Sequence, residues 1–309
     1  MTSDLTNKVK ASIERIKAFE PPEGYYLAFS GGKDSVVCKA LLDMAGVKYD
    51  AHYRVTSVDP PELVRFIKEK HPDVARDIPR YSDGIKAEHL RGKPITMWNL
   101  IPMKMMPPTR VVRYCCHQLK ESGGDGRMVV TGVRWAESVK RKDNHGTVTI
   151  SNQSAKNEIT DRDNFRVTNY GGLVLTNDNE DSRRMIEQCY KRHKTTLNPI
   201  VDWTDADVWN FIRSESIPYC ELYDNGFHRL GCIGCPMATK HGRELEFARW
   251  PRYKTAYLKA FERMIAERGR RGKLDGTWRV GTRPEDVFNW WMQYDVLPGQ
   301  MDLFEEETD

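Results

Sequence analysis

The 309-residue chain has no apolar run approaching the roughly 18 residues that a membrane span requires, and its mean hydropathy is −0.66. Its start, Met1-Thr2-Ser3-Asp4-Leu5, lacks the basic-then-apolar pattern of an export signal. No internal repeat or long low-complexity segment stands out, and 22 Gly and 16 Pro are too few for a collagen-like or disordered chain. Strong charge of one sign is also missing. The 48 Lys and Arg against 44 Asp and Glu leave a net +4, compatible with an anionic substrate but too weak alone to imply nucleic acid. What remains is 39% hydrophobic and 30% charged, which suits one large α/β domain or one domain with insertions.

Cysteine is the exception to this plainness: Cys38, Cys115, Cys116, Cys189, Cys220, Cys232 and Cys235. An odd count in a long chain without an export signal argues against a disulfide framework and for a reducing cytoplasm. There, clustered thiols bind metals or do redox chemistry.

Residues 1–22 read as a leader helix, with Val9, Ile13, Ile16 and Phe19 at helical spacing before Pro21-Pro22. The apolar run Tyr25–Phe29 has buried-strand length, and it leads through Ser30-Gly31-Gly32-Lys33-Asp34-Ser35 into a helix ending at Gly46. A strand over Tyr49–Val55 and a helix opened by Asp59-Pro60-Pro61-Glu62 follow. This β-loop-α-β-α order predicts an α/β fold with a doubly wound, mostly parallel sheet. Another strand, Met128–Thr131, ends in Gly132-Val133-Arg134. Residues 140–190 are expected to form an inserted hairpin or mobile arm beside the crevice, being polar with short β-like pieces at Thr147–Ile150 and Leu173–Thr176. Thr204 with Asp207 caps a helix, and the last 70 residues read as mostly helical up to the acidic Glu305–Asp309. The organisation expected is therefore a leader helix 1–22, an α/β domain 23–240 and a helical extension 241–309.

A glycine-rich turn between a buried strand and a helix start lets the backbone approach an anion and aims N–H groups at it. Ser30 and Ser35 add hydroxyls and Lys33 a cation. The spacing is neither that of Walker A nor that of the dinucleotide fingerprint. Ser-Gly-Gly-Lys-Asp-Ser resembles the PP-loop of the ATP pyrophosphatases, the adenine nucleotide α-hydrolase group. Other segments narrow the resemblance to the phosphoadenosine phosphosulfate (PAPS) reductase family. These are Val58–Glu62, Arg113-Tyr114-Cys115-Cys116 with Lys120, Thr131–Arg134 with Ser138, Asn198–Trp203 with Asp207-Val208-Trp209, and Gly231-Cys232-Ile233-Gly234-Cys235. The match runs over about residues 20–240.

Four thiolates from Cys115, Cys116 and the C-x-x-C of Cys232 and Cys235 suit an iron–sulfur cluster or a structural zinc, with unligated thiols as the third reading. The order of the pairs resembles the 4Fe–4S motif of assimilatory APS reductases. Cys38 falls on an apolar helix and reads as core; Cys189 and Cys220 have no clear partner. The resemblance places Ser30, Gly31, Gly32, Lys33, Asp34, Ser35, Gly132 and Arg134 at the nucleotide, with Lys33, Asp34 and Arg134 catalytic. Asp59 would orient the nucleotide or Mg2+, with helix capping as its alternative. Lys120 would offset cluster or phosphate charge, and Arg268–Lys273 reads as a solvated basic loop, RNA contact being the less favoured use.

The family's reductases carry a catalytic cysteine in a C-terminal tail, whereas the last cysteine here is Cys235. The full Ser-Gly-Gly-Lys-Asp-Ser loop looks more like the ATP-cleaving members. The reading is therefore an iron–sulfur enzyme that attacks ATP at the α-phosphorus, releases pyrophosphate and supports sulfur transfer or reduction. One alternative is a PAPS or APS reductase that borrows Cys220, Cys189 or a partner's thiol; the other is a silent nucleotide-sensing subunit. The acceptor, whether a nucleic acid or a small metabolite, is not named by the sequence, and neither is the oligomeric state, a homodimer being one option.

Overall fold

The computed structural model describes residues 2–85, 88–151 and 155–293; the acidic Glu305–Asp309 lies outside the described residues. The chain divides into two compact units interleaved along the sequence. The first holds residues 1–54, 61–77 and 122–230, and the second residues 55–60, 78–121 and 231–309. The Cys232–Cys235 turn thus groups with the C-terminal helices, a different cut from one made at residue 240.

The first unit contains the sheet. Its strands are β1 (Tyr25–Ala28), β2 (Tyr49–Arg54), β3 (Ala75–Asp77), β4 (Met128–Val130), β5 (Val148–Ile150), β6 (Phe165–Val167), β7 (Leu173–Leu175) and β8 (Thr195–Leu197). Their order is β3-β2-β1-β4-β8-β5-β7-β6. The first five in that order are parallel, and β5, β7 and β6 continue the sheet antiparallel. The α/β fold with a mostly parallel sheet is as the sequence indicates. The two β-like pieces of the polar segment form β5 and β7, but the segment does not leave the sheet as an arm: it adds three strands, with Val148, Ile150, Phe165, Leu173 and Val174 buried.

Helices α1 (Ser3–Ala18), α2 (Lys33–Ala45) and α3 (Pro61–Lys70) belong to this unit. Thr2 caps α1, whose buried stripe is Leu5, Val9, Ser12 and Ile16. Ser12 Oγ, itself taking a bond from Trp203 Nε1 at 3.1 Å, donates to the Pro199 carbonyl at 2.8 Å. Continuous burial of Tyr25, Tyr26 and Leu27 makes β1 a central strand, and Gly46 ends α2 in the left-handed conformation. The helix Asp205–Ser214 starts on the reciprocal cap of Thr204 and Asp207. In the second unit, the helices Met97–Lys104, Lys240–Arg249, Pro251–Arg270 and Pro284–Met292 enclose an aromatic core of Tyr257, Phe261, Phe288 and Trp291. No described helix is long and apolar enough to cross a membrane.

Candidate nucleotide and thiol sites

The Ser30–Ser35 turn lies after the buried β1, and its last residues open α2, so the positive end of the helix lies at the loop. Gly31 has φ +73°, and a Cβ there would be strained and would meet the side chains of Ile67 and Leu63 at 2.8 Å, which would have to shift. The turn is closed on itself. Ser35 Oγ donates to the Gly32 carbonyl at 2.9 Å, and the Ser30 N–H donates to Ser35 Oγ at 3.3 Å. The Lys33 N–H donates to the hydroxyl of Tyr223 at 2.9 Å.

Below the turn lies a charge network. Lys33, 7% exposed, sits 3.5 Å from both Asp34 and Asp205. Arg134, 2% exposed, donates through Nε to Asp34 at 2.7 Å, through Nη2 to Asp205 at 2.5 Å and through Nη1 to the Trp203 carbonyl at 3.3 Å. Two cations face two carboxylates, so this cluster is neutral before any ligand arrives. Burial pushes the Asp205 carboxyl upward, but its hydrogen bond to Arg134 and the charge of Lys33 carry it below the ordinary carboxylate value. Gly132 lies so close that a Cβ would meet the Asp34 Cβ at 2.8 Å. Ser30, Gly31, Gly32, Lys33, Asp34, Ser35, Gly132 and Arg134 therefore come together in the first unit. Ser138 is used differently: it accepts from the Arg141 N–H as a helix cap.

Sequence reasoning missed Asp205 and Tyr223. Asp205 has a readable signal. Asp207 satisfies the cap of Thr204, which leaves Asp205 in the first turn without a capping duty. Tyr223 has none, standing 190 positions from Lys33.

In the second unit, Cys115, Cys116, Cys232 and Cys235 are all half-buried, whereas Cys38, Cys189 and Cys220 are buried. Cys115 leads into a wide turn over Cys116–Lys120. The C-x-x-C turn is fixed at each residue between the thiols. The Ile233 N–H donates to the Val58 carbonyl at 2.8 Å, and Tyr257 donates to the Ile233 carbonyl at 2.9 Å. The Gly234 N–H donates to Glu246 at 2.7 Å. Gly234 has φ +73°, and a Cβ would strike Phe247 at 2.7 Å and Trp291 at 2.9 Å.

The thiols sense one another. The hydrogen bond that Cys115 shares with Cys116 raises Cys115, and burial and the charges of Cys116, Cys232 and Cys235 raise it further. The same bond lowers Cys116, aided by Arg113 and Lys120. Burial raises Cys232 to about 11, opposed by Lys120. The ammonium of Lys120 is stabilised first by Cys232 and then, against burial, by Asp59 and Cys235. Among the described residues, no three His, Cys, Asp or Glu side chains close on a single point as metal ligands do. The donor set itself fits a thiophilic group. Cys115 feels the charges of Cys116, Cys232 and Cys235, and these four soft thiols are the ligand type that a thiophilic metal would take, relieving that repulsion.

Asp59 is 6% exposed and accepts from the Thr56 N–H at 3.1 Å. It belongs to the second unit, in the field of Lys120 and Cys232. In the basic loop, Arg270 and Arg271 are both bound to Glu267, so much of its charge is already matched.

A Ser-Gly-Gly-Lys-Asp-Ser turn between a central strand of a mostly parallel sheet and the helix that follows it is the arrangement of the PP-loop-like superfamily. Residues 24–238 match the phosphoadenosine phosphosulfate reductase domain, and the chain belongs to that family, whose members bind adenine nucleotides. It is similar to adenosine 5'-phosphosulfate reductase of Neisseria meningitidis, with 42% identity over 53 residues, 17% of this chain and 22% of that protein. An uncharacterized protein of Methanocaldococcus jannaschii is 25% identical over 238 residues, covering 74% of this chain and 38% of its own length. The chain thus spans well under half the length of these curated relatives. Among solved structures, PAPS reductase from Candida auris in complex with phosphate aligns with TM-score 0.39 at 15% identity, over 75% of this chain and 96% of that one. The U34-tRNA thiolase NcsA from Methanococcus maripaludis with its [4Fe-4S] cluster aligns with TM-score 0.33 at 10% identity, over 92% and 88%.

Proposed function

We propose that the chain binds ATP on the Ser30–Ser35 turn and supports cleavage at the α-phosphate, adenylating an acceptor for sulfur transfer or reduction. The observation that carries this reading is the turn itself. Glycine N–H groups, two serine hydroxyls and Lys33 gather at the start of α2 beside a network that is already neutral, so an incoming polyphosphate would exchange the bonds within the turn for its own and meet no unpaired carboxylate. An acceptor atom bonds to the α-phosphorus, the bond from that phosphorus to the bridging oxygen breaks, and its electron pair leaves with pyrophosphate. Lys33 and the helix N-terminus stabilise the charge that develops there. Arg134 holds Asp34 and Asp205 apart from the phosphates, which makes it a positioning residue. Mg2+ bound with the nucleotide would supply further neutralisation. Cys115, Cys116, Cys232 and Cys235 would hold the metal group, with Lys120 offsetting their charge; a 4Fe–4S cluster there would supply electron transfer or an iron site for sulfur, and zinc would supply structure alone.

The reductase alternative needs a nucleophilic thiolate. Cys220 is fully buried and Cys189 is 4% exposed, and burial raises both thiols above their ordinary value, so neither suits attack on a nucleotide. The test is anaerobic purification with iron and sulfide analysis, followed by mass spectrometry of products from ATP, APS and PAPS. AMP and pyrophosphate from ATP support the proposal. Sulfite from APS or PAPS would establish the reductase, and tight binding without turnover the sensor.

A further inference from the structure

Next to the phosphate turn the first unit has a concavity of about 240 Å3, lined by the rings of Trp209, Tyr219 and Tyr223 and by polar groups that include Asp205, Arg213 and His228. Trp209 meets Tyr219 at 5.3 Å and 84°, and Tyr223 at 5.1 Å and 85°. Tyr219 and Tyr223 lie 6.5 Å apart at 62°. All three rings are half-buried, and Trp209 stands nearly perpendicular to each tyrosine. This edge-to-face packing holds the rings in place, and a flat guest in the concavity would stack on a ring face that it leaves open. The pocket is continuous with the turn through two shared residues. Tyr223 accepts from the Lys33 N–H, and Asp205 lies against the Lys33 ammonium.

We propose that this pocket is the subsite for a neutral nitrogen heterocycle, a nucleobase carried by the acceptor. The proposal rests on the reading that the turn holds the nucleotide's polyphosphate. Charge selects the guest. Arg213 already lies over the Trp209 ring, 5.8 Å from its centre, so an ammonium ligand would meet a cation where it would seek a bare π-face. The carboxylates at the ends are committed as well: Asp205 to Lys33 and Arg134, and Asp224 to the Tyr219 hydroxyl at 3.1 Å. The pocket therefore offers stacking faces and hydrogen-bonding groups with little net charge, which suits a base more than an ion. Its volume falls below the roughly 300 Å3 at which drug-sized ligand sites begin, so one ring system fits and a second whole nucleotide does not.

The experiment saturates the full chain with the non-cleavable analogue α,β-methylene-ATP and Mg2+, then titrates uridine, cytidine, adenosine and guanosine by calorimetry, with tetramethylammonium as the cationic probe. At least one nucleoside should bind alongside the analogue with a dissociation constant below about 1 mM. Trp209→Ala should weaken that binding about tenfold or more, and Trp209→Phe should restore most of it. Tyr219→Ala provides a second loss if Trp209→Ala does not fold. Affinity for the analogue should stay within about twofold in each variant, since the ring contacts no phosphate. Four results would overturn the proposal: no nucleoside bound, the analogue displaced by nucleoside, undiminished binding in the variants, or tetramethylammonium preferred. Failure of the analogue itself to bind would refute the nucleotide reading instead, and nucleoside titration of the ligand-free chain would then decide the pocket separately.

Discussion

Replacing Arg134 by Met removes the group that ties Asp34 to Asp205. The guanidinium is 2% exposed and makes three hydrogen bonds, two of them to carboxylates at 2.7 and 2.5 Å. Breaking a fully buried pair costs about 3–5 kcal/mol. Here the partners reach solvent, with the Asp34 side chain 24% and the Asp205 side chain 68% exposed, and Lys33 remains 3.5 Å from both. The cost should therefore fall to about 2–3 kcal/mol, below the buried-pair range but above the ~1 kcal/mol of a surface pair. Arg134→Lys should recover only part of it, because one ammonium cannot span two carboxylates as a guanidinium fork does. Urea denaturation should show a lower midpoint at unchanged slope for Arg134→Met, with Arg134→Lys between it and the parent. ATP binding should weaken in both, since freed carboxylates would face the polyphosphate. A loss of stability under about 1 kcal/mol for Arg134→Met, or a lysine variant equal to the parent in both assays, would refute the positioning role.

Lys33→Ala should weaken ATP by about 1.5–3 kcal/mol, the worth of a hydrogen bond to a charged group, and an unchanged calorimetric titration would remove Lys33 from the site. Gly31→Ala should destabilise the fold by about 1–2 kcal/mol from its φ of +73° alone, more with the contact to Ile67; a parent-like denaturation midpoint would contradict this. His71 is packed between Phe29 and Phe66, its Nε2 is buried without a hydrogen-bond partner, and burial lowers its titration below the ordinary value. The unfolded chain therefore takes up that proton first, so stability should fall as pH drops below about 6.5, and His71→Phe should lose this part of the slope. Deleting residues 144–176 removes β5, β6 and β7 and bares the edge of β8, so the product should aggregate; a soluble, cooperatively unfolding deletion would restore the arm expected from the sequence.

The half of the sheet around the phosphate turn was legible because each signal is local. The apolar run before Ser30, the glycines, and the Gly46 stop lie within one β-α unit, and the Thr204–Asp207 cap spans three residues. The far half was only partly so. β5 and β7 stood out as short β-like pieces at Thr147–Ile150 and Leu173–Thr176, but β6 did not, and only pairing with β8 and with one another gives the three strands a place in the sheet. β3, Ala75–Asp77, is a polar edge strand whose first two residues are exposed, so no hydrophobic pattern marks it. At the site, residue types and spacing nominate Lys33 and Arg134, and the four cysteines stand out by pairing. The carboxylate and the phenol that complete the first site come from 71 to 190 positions away, a relation that only the fold creates.

Competitive calorimetry of ATP, APS and PAPS against the as-purified protein, with and without Mg2+, tests the central claim most directly. A turn with this density of donors should bind the longer, more negative polyphosphate best. ATP with Mg2+ is expected to bind more tightly than either sulfonucleotide, and Lys33→Ala is expected to narrow the gap. Tighter binding of APS or PAPS, indifferent to Mg2+, would contradict the account and favour a sulfonucleotide reductase.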